Sequence, residues 1–165
     1  MSSCVKVEVR DSVITDADYI AANMRQQDID ELAASGTRTP LQVLRESITD
    51  SIMCWTTLVN DRPAFVWGVV PMCMISGVGS IWMLGTDDLK LVRKQFIKYT
   101  PAYLEHILAA FPLIYNEVDT RNTVAIRWLK WLGFTFGDIR ENPHSGVPFQ
   151  YFEMRRIEPC ASQLH

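Results

Sequence analysis

Several polar residues fall in arrangements that could move a proton or hold an anion. Glu117 and Asp119 flank Val118 at the end of an apolar run, so two carboxylates stand at a strand tip, where either could accept a proton. Arg25, Asp28 and Glu31 recur at a spacing of three, on one side of a helix. Such a row either orients a polar substrate or closes on itself as a ladder of ion pairs. Lys90, Arg93, Lys94 and Lys98 are four nearby cations that suit phosphate groups and equally suit the solvated face of a helix. His106 is alone in mid-helix and reads as structural. The four cysteines, Cys4, Cys54, Cys73 and Cys160, form no Cys-x-x-Cys pair and only three histidines accompany them, so no metal site is expected. Cys54 and Cys73 lie inside apolar runs and read as buried small hydrophobes.

Composition narrows the classes. A net charge of -3 over 165 residues argues against a general grip on nucleic acid. The five Trp and five Tyr could stack bases, but the Trp residues fall mostly on core-facing patterns. The segment Met1-Ser2-Ser3-Cys4-Val5-Lys6 lacks a hydrophobic signal core, so the cytoplasm, a reducing compartment, is expected. The longest apolar run, residues 64–75, is too short to span a bilayer and contains Pro71, so no membrane partner is expected.

These residues must be positioned by an α/β frame. Val5-Lys6-Val7-Glu8-Val9-Arg10 alternates with the period of a half-buried strand. Thr15 and Asp18 have capping-box spacing and open a helix to about Arg25. A second helical stretch covers 28–35 and stops at Gly36, and Pro40 opens a third over 41–52. Residues 54–59 and 64–72 flank Asn60-Asp61-Arg62-Pro63 and read as a hairpin, with a further strand over 80–84. Asp87 and Asp88 suit the positive end of a helix to about Phe111, kinked or restarted at Thr100-Pro101. A strand over 113–118 leads to a helix over 123–132, with Val124, Trp128, Trp131 and Leu132 on one face and Gly133 as its stop. Two strands, about 135–139 and 149–155, close the chain. The prediction is one domain, residues 1–158, with a loose tail at 159–165. It holds a mixed α/β (α+β) sheet of about six to seven strands covered by helices on both faces.

That element order is similar to the GNAT superfamily of N-acyltransferases. The sharper likeness is local: Val118 leads to Asn122, Ala125 and Gly133-Phe134 in the register of the family's strand–Asn–helix–Gly-Phe segment. A narrower likeness covers most of the chain. Met24-Arg25-Gln26-Gln27-Asp28, Ile81-Trp82-Met83-Leu84-Gly85-Thr86-Asp87 and Ile126-Arg127-Trp128-Leu129-Lys130-Trp131-Leu132-Gly133-Phe134 resemble a group of tailed-phage proteins, GNAT-like or internal virion proteins of T7-like phages.

The resemblance implies an acetyl-CoA-dependent N-acyltransferase of phage or prophage type with an amine acceptor. The alternative is a non-catalytic phage protein of the same fold that serves in the virion or binds a host protein, and a homodimer is admitted by either. It implies a strand ending near Val118 that lies parallel to one ending near Leu84. It places Met83, Leu84, Gly85, Thr86, Arg93, Lys94, Asn122 and Leu129 at the cofactor, Arg25, Asp28 and Glu31 at the acceptor, and Glu117 as the base. The chain departs from the family twice. Its loop after the fourth strand has one glycine, Gly85, and sets Asp87 and Asp88 where a pyrophosphate would sit, a poor cradle unless cations compensate. The family's acid tyrosine corresponds to Leu129, which has no proton to give.

Overall fold

The computed structural model describes residues 5–157; the expected loose tail lies outside them, as do Cys4 and Cys160. The described elements are β1 (Val7–Asp11), α1 (Asp16–Ala22), α2 (Gln26–Ser35), α3 (Pro40–Asp50), β2 (Met53–Val59), β3 (Arg62–Cys73) and β4 (Val78–Gly85). A 3-10 turn (Asp87–Leu91), α4 (Arg93–Ala110), β5 (Leu113–Asp119), α5 (Thr123–Leu132), β6 (Thr135–Glu141) and β7 (Pro148–Arg155) follow. The strands form one seven-stranded sheet in the order β1-β2-β3-β4-β5-β7-β6. Only β4 and β5 are parallel, as expected from the long helix that connects them.

Local chemistry explains most boundaries. Asn60 and Asp61 both have positive φ, 49° and 64°, so the β2–β3 hairpin closes on the two-residue turn that best matches strand twist. Thr39 and Gln42 cap α3 reciprocally, with Pro40 at the first helical position. The capping box expected at Thr15 does not form: Thr15 is helical and its side chain caps nothing. Asp16 takes over instead. Its carboxylate accepts the Val13 N–H at 3.0 Å, the Thr56 hydroxyl at 2.6 Å and both arms of the Arg10 guanidinium, while Asp18 pairs with Arg45.

Two cores lie on opposite faces of the sheet. Ala17, Ile20 and Met24 of the α1 region and Leu44 of α3 pack with Val66, Trp82 and Leu84 on one face. On the other, α4 sets Leu104 and Ile107 against Phe65, Trp67, Val69 and Ile114, joined by Ile126, Leu129 and Leu132 of α5. The face assigned to α5 needs correction. Trp131 and Val124 are exposed, and the inward residues include Ala125 and Leu129. Cys73 is also exposed rather than buried, because β3 runs on past the sheet body into the hairpin tip; Cys54 is half-buried.

Gly133 ends α5 with φ 96°, in the left-handed region. Its N–H donates to the Lys130 carbonyl and the Phe134 N–H to the Leu129 carbonyl, the paired bonds of a Schellman stop. A Cβ here would touch only Met154 Cε, at 3.9 Å, so the cost of a side chain is backbone strain and not crowding. Gly133→Val is therefore expected to destabilise the fold by about 1 kcal/mol or more, read as a lowered midpoint in thermal unfolding. An unchanged midpoint would refute this account of the helix stop.

Candidate active site

The site begins where the sheet fails to close. β4 and β5 pair only through Val78–Leu113, Gly79–Ile114 and Ser80–Tyr115. Beyond that point each strand stays registered to its outer neighbour, β4 to β3 as far as Gly85 and β5 to β7 as far as Asp119. Following separate partners through the sheet's twist, the two strands diverge. Asn116 bridges the first step of the gap, its Nδ2 donating to the Ile81 carbonyl at 2.6 Å.

A cavity of about 650 Å³ runs through this gap and is lined from both faces of the sheet. Arg25, Asp28, Glu31 and Trp82 line it on the α2 side, and Phe96, Leu104, Trp128 and Leu129 on the side of α4 and α5. A second cavity of about 620 Å³ adjoins it. The two share Arg25, Met83, Phe96, Asn122, Ala125 and Trp128, and the second extends over Thr86, Asp87, Lys90 and Arg93.

The open edge of β4 offers few backbone groups. Gly85 is already engaged: its N–H donates to Asp28 Oδ2 at 2.9 Å and its carbonyl accepts the Arg25 N–H at 3.0 Å. Ile81 has given its carbonyl to Asn116. Strand alternation points Met83 the same way, so its N–H and carbonyl face the gap where no β5 partner pairs with them. Gly85 thus leaves the set of expected cofactor contacts and lines neither cavity. It serves packing, since a Cβ there would lie 2.6 Å from Phe65 Cβ.

The row Arg25, Asp28, Glu31 divides in two. Asp28 is buried, 2.8 Å from Arg25 Nε, and ties α2 to the end of β4. Burial pushes its carboxyl above the usual range while Arg25 and the Gly85 N–H pull it back. Arg25 and Asp28 both line the cavity while ion-paired with each other, and Asp28 also accepts the Gly85 N–H. Glu31 belongs to no ladder. Its Oε2 accepts from Asn122 Nδ2 at 3.2 Å, across 91 positions of sequence. Burial, helped by the Asp28 and Asp119 carboxylates and opposed by Asn122 and Arg25, raises it from the ordinary 4.5 to about 7. A carboxylate so placed is matched to taking a proton near neutral pH. Glu117 also lines the cavity but is exposed, its backbone N–H donating to the Asn116 side chain. Asp119 is held by Arg121, which keeps its carboxyl below the usual range.

Asn122 caps α5 by accepting the Ala125 N–H at 3.2 Å and lines both cavities. Leu129 lines the larger one and packs on the core. Trp67 and Trp128 line it too, and each has a buried indole N–H without a hydrogen-bond partner among the described residues. Nothing in the sequence marks these two donors, because the lack of a partner exists only in three dimensions.

The loop after β4 differs from expectation in a way that matters for anions. Asp87 and Asp88 open a 3-10 turn, not the long helix; α4 starts at Arg93, six residues after Asp87. There is no restart at Pro101, which lies inside α4. Thr86 is buried and caps the 3-10 turn by accepting the Asp88 N–H. Lys90 pairs with Asp87 at 2.5 Å, and Arg62, from the far hairpin, lies 3.6 Å from Asp88. Each carboxylate thus has a cation nearby, and α4 begins at Arg93 and Lys94. Arg93 lines the second cavity and Lys94 does not.

No protein-family model and no curated protein sequence matches this chain. Solved structures do. The ribosomal-protein-S18-alanine N-acetyltransferase from Escherichia coli superposes with a TM-score of 0.67 at 14% identity, over 97% of this chain and 99% of that one. An acetyltransferase of the GNAT family from Streptococcus pneumoniae gives 0.58 at 13%, over 91% and 99%. The aminoglycoside acetyltransferase AAC(6')-Ib, in complex with coenzyme A, gives 0.62 at 19%, over 92% and 95%. Across nearly its whole length, the chain has the GNAT fold.

Proposed function

We propose that this chain is an N-acyltransferase that passes an acyl group from a coenzyme A thioester, acetyl-CoA in the simplest case, directly to an amine. One observation carries the reading: the gap between β4 and β5 opens into a through-sheet cavity with Glu31 on one face and the open Met83 rung along the gap itself. An amide-bearing arm can add to that rung as a strand would. Trp128, whose buried indole N–H has no partner among the described residues, lines both cavities beside that rung. Arg93 and the start of α4 face the second cavity, where a diphosphate would be received.

Glu31, not Glu117, is then the base. Its carboxylate takes the proton from the incoming amine, whose lone pair attacks the thioester carbonyl carbon. The C–S bond breaks, the thiolate leaves and takes its proton from water, since Leu129 offers none, and the products are an amide and free CoA. Asn122 holds Glu31 in place and caps α5, so base and donor site share one anchor.

The sequence phrases shared with tailed-phage proteins support a phage or prophage origin, and with it action in the host cytoplasm, as part of this proposal. Calorimetric titration with CoA and acetyl-CoA tests the reading. Binding is expected, with Arg93→Ala weakening it by about tenfold or less, the value of one charge-assisted contact. No binding at millimolar CoA would leave the non-catalytic virion or host-binding protein as the answer.

A further inference from the structure

We infer that the acceptor is a diamine or polyamine, its reacting amine at Glu31 and a second ammonium group against Glu117 and the neighbouring Tyr115–Tyr151 pair. This deepens the acyltransferase reading and rests on it. Ile114 and Val118 of β5 belong to the core under α4 and α5, so the alternate residues Tyr115 and Glu117 face the other side of the sheet, the side of α2. On that side α1 and α3 pack on β3, and α1 also on β4. Tyr115 and Tyr151 stay half-buried there, and Glu117 is exposed. Glu31 and Glu117 line the same cavity.

Strand pairing sets four side chains in a square. Glu117 lies opposite Tyr151, and Tyr115 opposite Glu153, in the β5–β7 register, so carboxylates and phenol rings alternate on one face. The two rings stack across the diagonal with centroids 5.7 Å apart. The Tyr151 hydroxyl donates to Glu153 Oε2 at 2.7 Å, and Arg155 Nε donates to the other oxygen at 2.9 Å. Glu153 is therefore committed, and it fixes the ring of Tyr151. Glu117 has no cation beside it among the described residues: Arg121 is taken by Asp119 and Arg155 by Glu153. The two guanidiniums that line the cavity also carry ion pairs, Arg25 with Asp28 and Arg38 with Glu46. What remains is a carboxylate beside aromatic rings, which draws an ammonium ion by charge and by the ring quadrupole. An amine that bears a carboxylate would meet repulsion in the same place. In the transfer, Glu31 takes a proton from the near amine and its nitrogen bonds the thioester carbonyl carbon. The C–S bond breaks and the thiolate takes a proton from water, while the far ammonium keeps its charge.

The test is acetyl transfer by the whole chain from acetyl-CoA to three acceptors of similar length: putrescine, butylamine and γ-aminobutyrate. Putrescine should exceed butylamine in kcat/KM by about tenfold, chiefly through KM, the value of one charge-assisted contact, with γ-aminobutyrate slowest. Glu117→Gln should bring the ratio of diamine to monoamine down to about one, and Glu117→Lys should turn the preference toward γ-aminobutyrate. Tyr151→Leu should lower the ratio by about threefold, the share of a partly exposed cation–π contact. Because Glu117 is exposed, its substitutions test recognition and not folding. Equal kcat/KM for the three acceptors, or a ratio that Glu117→Gln leaves unmoved, would overturn this inference and leave the acyltransferase reading standing. No transfer to any of the three would also overturn it, and the CoA titration described above would then decide the acyltransferase reading by itself.

Discussion

Glu31→Gln is expected to lower kcat by about two to four orders of magnitude while CoA affinity stays unchanged, because the amide keeps the shape of the side chain but cannot take a proton. The wild-type rate should rise with pH through about 7, where Glu31 ionises, and the variant should lose that limb. The same substitution has an opposite effect on stability. The folded-state value of about 7 lies above the ordinary 4.5, so the folded chain holds this proton longer than the unfolded one. Stability is therefore lost as pH rises from about 4.5 to about 7, and the full cost remains above that window. At pH 8 the glutamine variant should be more stable by up to about 3 kcal/mol, with little difference near pH 4.5. Melting curves at the two pH values, beside the rate profile, separate a base from a mere anchor. A variant with wild-type kcat would remove Glu31 from the mechanism.

Asp28→Ala should produce the largest stability effect, about 3–5 kcal/mol, because it strands the mostly buried Arg25 guanidinium and leaves the Gly85 N–H without its acceptor. For a chain of this length that corresponds to a midpoint lower by about 10 °C. Asp28→Asn keeps an acceptor for Gly85 and should fall between. Burial raises the proton affinity of both carboxyls on this helix, but Asp28 is held by Arg25 and the Gly85 N–H whereas Glu31 is held by Asn122. Should Asp28→Ala melt with the wild type, the tie between α2 and β4 would not have the importance given to it here.

Much of the fold was legible because its signals are local. The alternation over residues 5–10, the Asn60-Asp61 turn, Pro40 and Gly133 each fix a short stretch through steric and hydrogen-bonding rules that act within a few residues. The segment Val118, Asn122, Ala125, Gly133 read correctly for the same reason. Misreadings arose where one local signal competed with another or with a distant partner. Thr15 lost its cap to Asp16 because Arg10 and Thr56, brought close by strand pairing, hold Asp16 in place. The start of α4 moved from Asp87 to Arg93 because Thr86 caps a tighter turn first. That shift moves the two carboxylates from the start of α4 into the 3-10 turn before it, where Asp87 still lines the second cavity.

The candidate site was legible as a set of residues and illegible as a set of roles. The sequence by itself determined the element order, the parallel β4–β5 pair and the helix stop at Gly133, and it singled out Arg25, Asp28, Glu31 and Asn122 as candidate site residues. It could not rank Glu31 above Glu117, since both are single carboxylates in polar stretches. The tertiary structure separates the two, half-burying Glu31 against Asn122 and leaving Glu117 in solvent. The physical reason is that a carboxylate's proton affinity depends on the dielectric and charges around it, and those are set by chain segments far away in sequence. The same holds for the divergence of β4 from β5, the pairing of Arg62 with Asp88, and the partnerless indole N–H groups of Trp67 and Trp128. Each is a relation between distant segments, and packing alone creates it.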